Sequence, residues 1–152
     1  MFRINRLTDY AVVVLGEMSR SPGVRTVPQI AGDTGVPLPT VAKLMKTLAH
    51  AGLVASHRGA GGGYTLSRPP VGITVADIIE AIEGPIAITT CVEETEGQCG
   101  IETLCPMHGH WSRINQAIRG SLERISLAEI ATVTLFPPVL MPTGLAEPTT
   151  RG

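Results

Sequence analysis

Apolar residues recur at intervals of three and four through much of the chain, and glycine and proline mark the breaks between these runs. Residues 6–20 place Leu7, Tyr10, Ala11, Val14, Leu15 and Met18 on one face, the i, i+3, i+4 spacing of an amphipathic helix. Pro22 and Gly23 end it. Residues 27–33 predict a short second helix, and Gly35, Val36 and Pro37 a turn. A third helix is expected from about Pro39 to Ala51, with Val41, Leu44, Met45 and Leu48 inward. Proline suits a first helical turn, which needs no N–H from it, and Gly52 suits a helix stop.

The period then changes. LVASH and YTLSR alternate on either side of RGAGGG, which predicts a β-hairpin with a glycine-rich tip, stopped by Pro69-Pro70. Thr74 is placed to cap a helix over 74–83, with Asp77 three residues on as an imperfect capping box and Gly84-Pro85 behind it. An irregular loop is expected at about 89–108. Beyond it, Trp111, Ile114, Ile118, Leu122 and Ile125 predict one long amphipathic helix whose apolar seam suits a partner helix. The last stretch holds Pro137, Pro138, Pro142 and Pro148 with little periodicity and is expected to be disordered.

Helix, short helix, tight turn, helix and hairpin make a winged helix-turn-helix. The expected fold is mainly α with a small β-hairpin. Residues 1–70 form the winged helix-turn-helix and residues 71–131 a linker helix, the 89–108 loop and a dimerisation helix. Residues 132–152 form the tail. With 43% apolar residues but only five aromatics, the core must be mostly aliphatic. No apolar run is long enough for a membrane span. The first residues hold Glu17 and lack a convincing cleavage site, so they are expected to be a helix of the mature fold and not a signal peptide.

Charge divides the chain. Residues 1–70 carry Arg3, Arg6, Arg20, Arg25, Lys43, Lys46, Arg58 and Arg68 against Asp9, Glu17 and Asp33, whereas residues 71–152 carry four arginines against ten acids. A basic first half suits a polyanionic partner. On the third helix Thr40, Lys43 and Lys46 are the outward candidates for double-stranded DNA, with His50 weaker: threonine can touch a base edge, and lysine can bond guanine or neutralise phosphate. At the hairpin tip Arg58, followed by Gly59, can approach a narrow groove of strong negative potential. A phosphate cradle of a nucleotide enzyme is a poor fit, because no Gly-Lys-Ser/Thr follows and the glycines precede a strand. Nothing in the chain forms a nucleophile–base pair, so neither an enzyme nor a small-molecule substrate is expected.

The chain's three cysteines, Cys91, Cys99 and Cys105, fall in the 89–108 loop, with His108 and His110 just beyond. Free thiols fit a reducing cytoplasm. Soft thiolates gathered with an imidazole suit an iron–sulfur cluster, or zinc in a Cys3His set, although short C-x2-4-C pairs are missing. A disulfide switch or unreactive buried thiols are the other readings.

The stretches LTDYAVVVL, GVPLPTVAKLMKTLAHAGLV, RGAGGGYTLSRP and ITVADIIEAIEGP, with the C-x7-C-x5-C loop, resemble the Rrf-two family of bacterial winged-helix regulators over about residues 2–131. That family includes IscR-, NsrR- and RirA-type members. EAIEGPIAITTC and WSRINQAIRGSLERISLAEI are most similar to its SUF-system iron–sulfur assembly regulators. The resemblance implies a homodimer on promoter DNA that represses iron–sulfur assembly (suf/isc-type) genes. Nitric oxide or iron is the alternative signal, and a zinc-stabilised constitutive DNA binder the alternative chemistry. It also implies a [2Fe–2S] cluster on Cys91, Cys99, Cys105 and His108, in preference to [4Fe–4S]. In NsrR-type members an aspartate in the first helix completes the site, and Asp9 matches that position. The first spacing, x7 against the usual x5, departs from the pattern.

Overall fold

The computed structural model describes residues 3–89, 92 and 104–132. Its elements are α1 (Arg6–Arg20), α2 (Val27–Thr34), α3 (Leu38–His50), β1 (Val54–His57), β2 (Gly63–Leu66), α4 (Val75–Glu83), α5 (His108–Glu123) and α6 (Leu127–Thr132). This is the expected mainly helical fold with one hairpin.

Local chemistry starts each helix. The Asn5 side chain caps α1. Thr26 and Gln29 form a reciprocal capping box at α2, and Thr74 and Asp77 form a complete one at α4. Gly35, at φ 73°, ends α2 in the left-handed conformation that glycine adopts without strain. The hairpin is antiparallel, from Val54 opposite Leu66 to His57 opposite Gly63. On the other edge of β2, Arg25 exchanges backbone hydrogen bonds of 2.9 and 2.8 Å with Tyr64. Gly63 makes this approach possible, since a Cβ there would lie 2.4 Å from the Arg25 carbonyl oxygen at φ 152°. The Arg25 guanidinium then reaches Asp33, fastening the wing to α2.

One aliphatic core unites these parts. Leu15 of α1, Leu44 and Leu48 of α3, Ile73, Ile78 of α4 and Leu127 of α6 are all fully buried in it. Packing therefore runs straight across residue 70, where the sequence suggested a boundary. Helix α1 touches α2, α3, α4, α6 and β2.

The last helix corrects an expectation. The periodicity through Ile125 suggested one continuous helix, but α5 stops at Glu123. Ser126 and Glu129 explain the break: the Glu129 carboxylate accepts from the Ser126 N–H, and the Glu129 N–H donates to the Ser126 hydroxyl. They form a capping box that starts α6 anew. Ile125 lies in the link, its carbonyl accepting from Val75 N at 2.9 Å and its side chain 43% exposed. The Leu127 N–H donates to the Ile73 carbonyl at 2.7 Å, which directs the Leu127 side chain into the core.

The Ser126 backbone N–H, and then its hydroxyl, hold the Glu129 carboxyl below the usual range; the Arg20 guanidinium does the same for Glu17. Lowered carboxyls stabilise the fold above their unfolded pKa, and that contribution is lost as pH falls through the folded-state value. Because α6 completes the core, Leu127→Ala is expected to lower the unfolding free energy by about 2–5 kcal/mol, measured by urea denaturation.

Candidate nucleic-acid interface and thiol-bearing segment

Helix α3 turns Val41, Leu44, Met45 and Leu48 into the core, and the opposite side follows from the helical repeat. Lys43, Lys46 and His50 fall on that outward side and are exposed. Thr40 sits at its flank and is half-buried. His50, the weaker candidate from sequence, thus shares a line with the lysines. At the wing tip Arg58 and Gly59 are exposed, and Gly59, at φ 100°, accepts from Gly62 N at 2.9 Å to close the turn. His57 meets Thr65 across the hairpin at 2.9 Å, bracing the strands below the tip.

The acids of the fold sort its cations. Arg20 pairs with Glu17, Arg25 with Asp33 and Arg68 with Asp77. Among the described residues no ion pair involves Lys43, Lys46 or Arg58. Charge left free in this way, on the exposed face of α3 and an exposed turn, can neutralise phosphates. The ion pairs are not legible from spacing, because each joins an arginine to an acid whose distance depends on the fold, apart from the i, i+3 pair of Glu17 and Arg20.

Cys91 and Cys99 lie outside the described residues. Cys105 is half-buried with a free thiol, just before α5. His108 is the first residue of α5, and its side chain is outside the described set. His110 lies two residues on, on the other side of the same first turn, and is exposed. Asp9 is exposed in the first turn of α1 and opens onto a cleft of about 630 Å³ shared with Arg3, Ile4, Asn5 and Arg6. Among the described residues no three His, Cys, Asp or Glu side chains gather in a metal-binding group.

Helix α5 has two working sides. Leu122 packs inward against Ala76 and Ile79 of α4 and Ile86, and Arg119 meets Glu80 at 2.9 Å. The hydrogen bond that Arg119 donates to Glu80, and then the Glu80 charge, raise the Arg119 pKa above the usual arginine value. The expected seam is therefore divided: Leu122 serves the chain's own packing and Ile125 lies beyond the helix. Trp111, Ile114 and Ile118 remain, with Met107 on the same line; Ile114 and Met107 are 41% and 40% exposed. Sequence reasoning passed over Asn115, a buried α5 residue whose polar character inside an otherwise apolar seam was the available signal.

Known proteins share this arrangement. Two regulators named HTH-type transcriptional regulator IscR match over most of the chain. That of Klebsiella pneumoniae is 31% identical over 130 residues, covering 82% of this chain and 78% of that protein. That of Vibrio parahaemolyticus is 32% identical over 125 residues, covering 81% and 73%. Among solved structures, CymR, the global cysteine regulator of B. subtilis, superposes with a TM-score of 0.67 at 29% identity, covering 88% of this chain and 99% of that one. T. potens IscR superposes with a TM-score of 0.60 at 27% identity, covering 85% of each. The profile described as "Rrf2: Iron-dependent Transcriptional regulator" matches residues 4–132, so this winged helix-turn-helix chain belongs to the Rrf2 family of transcriptional regulators.

Proposed function

We propose that the chain is an iron–sulfur-sensing repressor of iron–sulfur assembly genes, acting in the cytoplasm as a homodimer on promoter DNA. It binds DNA and regulates; it is not an enzyme. The observation that carries the reading is the place of the thiols: the segment bearing Cys91, Cys99 and Cys105 joins α4, part of the core that supports α3, directly to α5.

In this reading Lys43 and Lys46 meet backbone phosphates and guanine edges, Thr40 touches a base edge, and Arg58 with Gly59 enters the neighbouring minor groove. The partly exposed line of Trp111, Ile114 and Ile118 seats a second copy, so that two α3 helices face half-sites about one helical turn apart. Leu122 and Ile125 contribute only at the margin of that contact. The donor set, three thiolates and an imidazole, fits an iron–sulfur cluster on Cys91, Cys99, Cys105 and His108, with [2Fe–2S] favoured and Asp9 the alternative fourth ligand. When bound, such a group would supply a tie sensitive to iron and oxidants. Control requires DNA affinity to differ between the forms with and without it.

A second reading is a regulator that answers another signal, with zinc or no metal on the thiols. The likeness to CymR favours it, since that relative is a cysteine regulator by name.

Anaerobic isolation separates these readings: brown protein with acid-labile sulfide supports the first, and colourless protein with bound zinc the second. Promoter binding compared before and after metal removal is expected to change, and equal affinity at every site would overturn the sensing claim. Lys43→Ala and Lys46→Ala are each expected to flatten the slope of log affinity against log salt by about one, in fluorescence-anisotropy titrations. Ile114→Glu is expected to convert dimer to monomer in analytical ultracentrifugation, with loss of specific DNA binding.

A further inference from the structure

Asn115 is a polar side chain only 7% exposed that none of the roles above uses. It stands on α5, and its amide meets both kinds of backbone group in the chain leaving α4. Nδ2 donates to the Ile86 carbonyl at 2.8 Å, and the Ile88 N–H donates to Oδ1 at 3.1 Å. One carboxamide thus completes a C=O and an N–H two residues apart, a pairing that a neighbouring strand would ordinarily provide. A carboxylate lacks the donor, and an apolar side chain of the same shape lacks both atoms.

Helix α5 does not need Asn115 to stay on α4. Leu122 packs against Ala76 and Ile79, and Arg119 pairs with Glu80. What the carboxamide adds is a fixed relation between Ile88 and α5. The segment between those two points carries all three thiols: Cys91 follows the clasp closely, and Cys105 immediately precedes the helix. Holding both ends of a segment restricts where its side chains can meet and lowers the entropy lost when they converge on one ion.

We propose that Asn115 is a positioning residue for the thiolate site, clasping the start of the thiol-bearing segment to the helix at its end. This rests on the reading that the thiols hold a metal group, but not on which metal. The probe is Co²⁺ alone, titrated anaerobically into the full-length protein and followed by thiolate-to-cobalt charge-transfer absorption. Asn115→Leu is expected to weaken Co²⁺ binding on the order of tenfold, the scale of losses when groups that orient ligands are removed. Leu122→Ala, which loosens the same α4–α5 seam without touching the clasp, is expected to leave affinity within about twofold on that scale. In the metal-free wild type the Ile88 amide is expected to be protected from hydrogen exchange, a measurement that needs no variant to fold.

Equal Co²⁺ affinity in wild type and Asn115→Leu, an equal loss in Leu122→Ala, an unprotected Ile88 amide, or no Co²⁺ binding by the wild type would each overturn the inference. Protein that is free of iron and sulfide after anaerobic isolation, yet loses Co²⁺ affinity on Asn115→Leu, would overturn the iron–sulfur reading and uphold the clasp.

Discussion

Burial of aliphatic side chains around α1 is the constraint on which the other arrangements depend. With few aromatic residues to fill volume, the core is assembled from leucine, isoleucine, valine and methionine drawn from every helix except α5. Such a core closes only when each contributor is in place. Leu127 must come back from near the end of the described chain to reach it, and the Ile73–Leu127 and Val75–Ile125 backbone bonds bring it there. That return holds α5 along α4, with one side spent on Leu122, Asn115 and Arg119 and the neighbouring one left partly exposed. The surface proposed to seat a second copy is thus a consequence of how the core is completed.

Electrostatics follows the same economy of pairing. Glu17, Asp33 and Asp77 each hold an arginine near the body of the fold, and two of these pairs join elements: Arg25 ties the wing to α2, and Arg68 ties the chain after β2 to the start of α4. Partly exposed ion pairs contribute little to stability, about 0–1 kcal/mol each. Their effect here is on the field, because they leave Lys43, Lys46 and Arg58 as uncompensated cations on α3 and the wing. A net charge near zero therefore conceals a directed surface.

The likeness to both IscR and CymR shows that one scaffold serves regulators with different names. Fold alone does not select among signals. In the reading proposed above, the selection rests on the segment between α4 and α5, which carries the three thiols, and on the contacts that connect its ends to the rest. Glu83 holds the Asn5 N–H and the Thr8 hydroxyl at the start of α1, and Asn115 holds Ile86 and Ile88. The chain from Glu83 to Ile88 is therefore fastened at one end to the DNA-reading unit and at the other to α5.

Periodicity, caps and turn residues determined much of this protein from sequence alone. The 3.6-residue repeat marked α1 and α3, the change to alternation marked the wing, and the Thr74–Asp77 cap marked the start of α4. These are local interactions, set by residues a few positions apart. The thiols, basic half and apolar seam were legible as residue types. The division of that seam was not, because Leu122 and Ile118 are both aliphatic and only the position of α4 decides which packs against it. Nor was the end of α5 recognised, although Ser126 and Glu129 carried the signal, since the apolar spacing ran on through Ile125. Which cations stay free, where Leu127 is buried and what Asn115 clasps depend on residues tens of positions apart. Long-range packing brings those residues together, so the tertiary structure alone decided them.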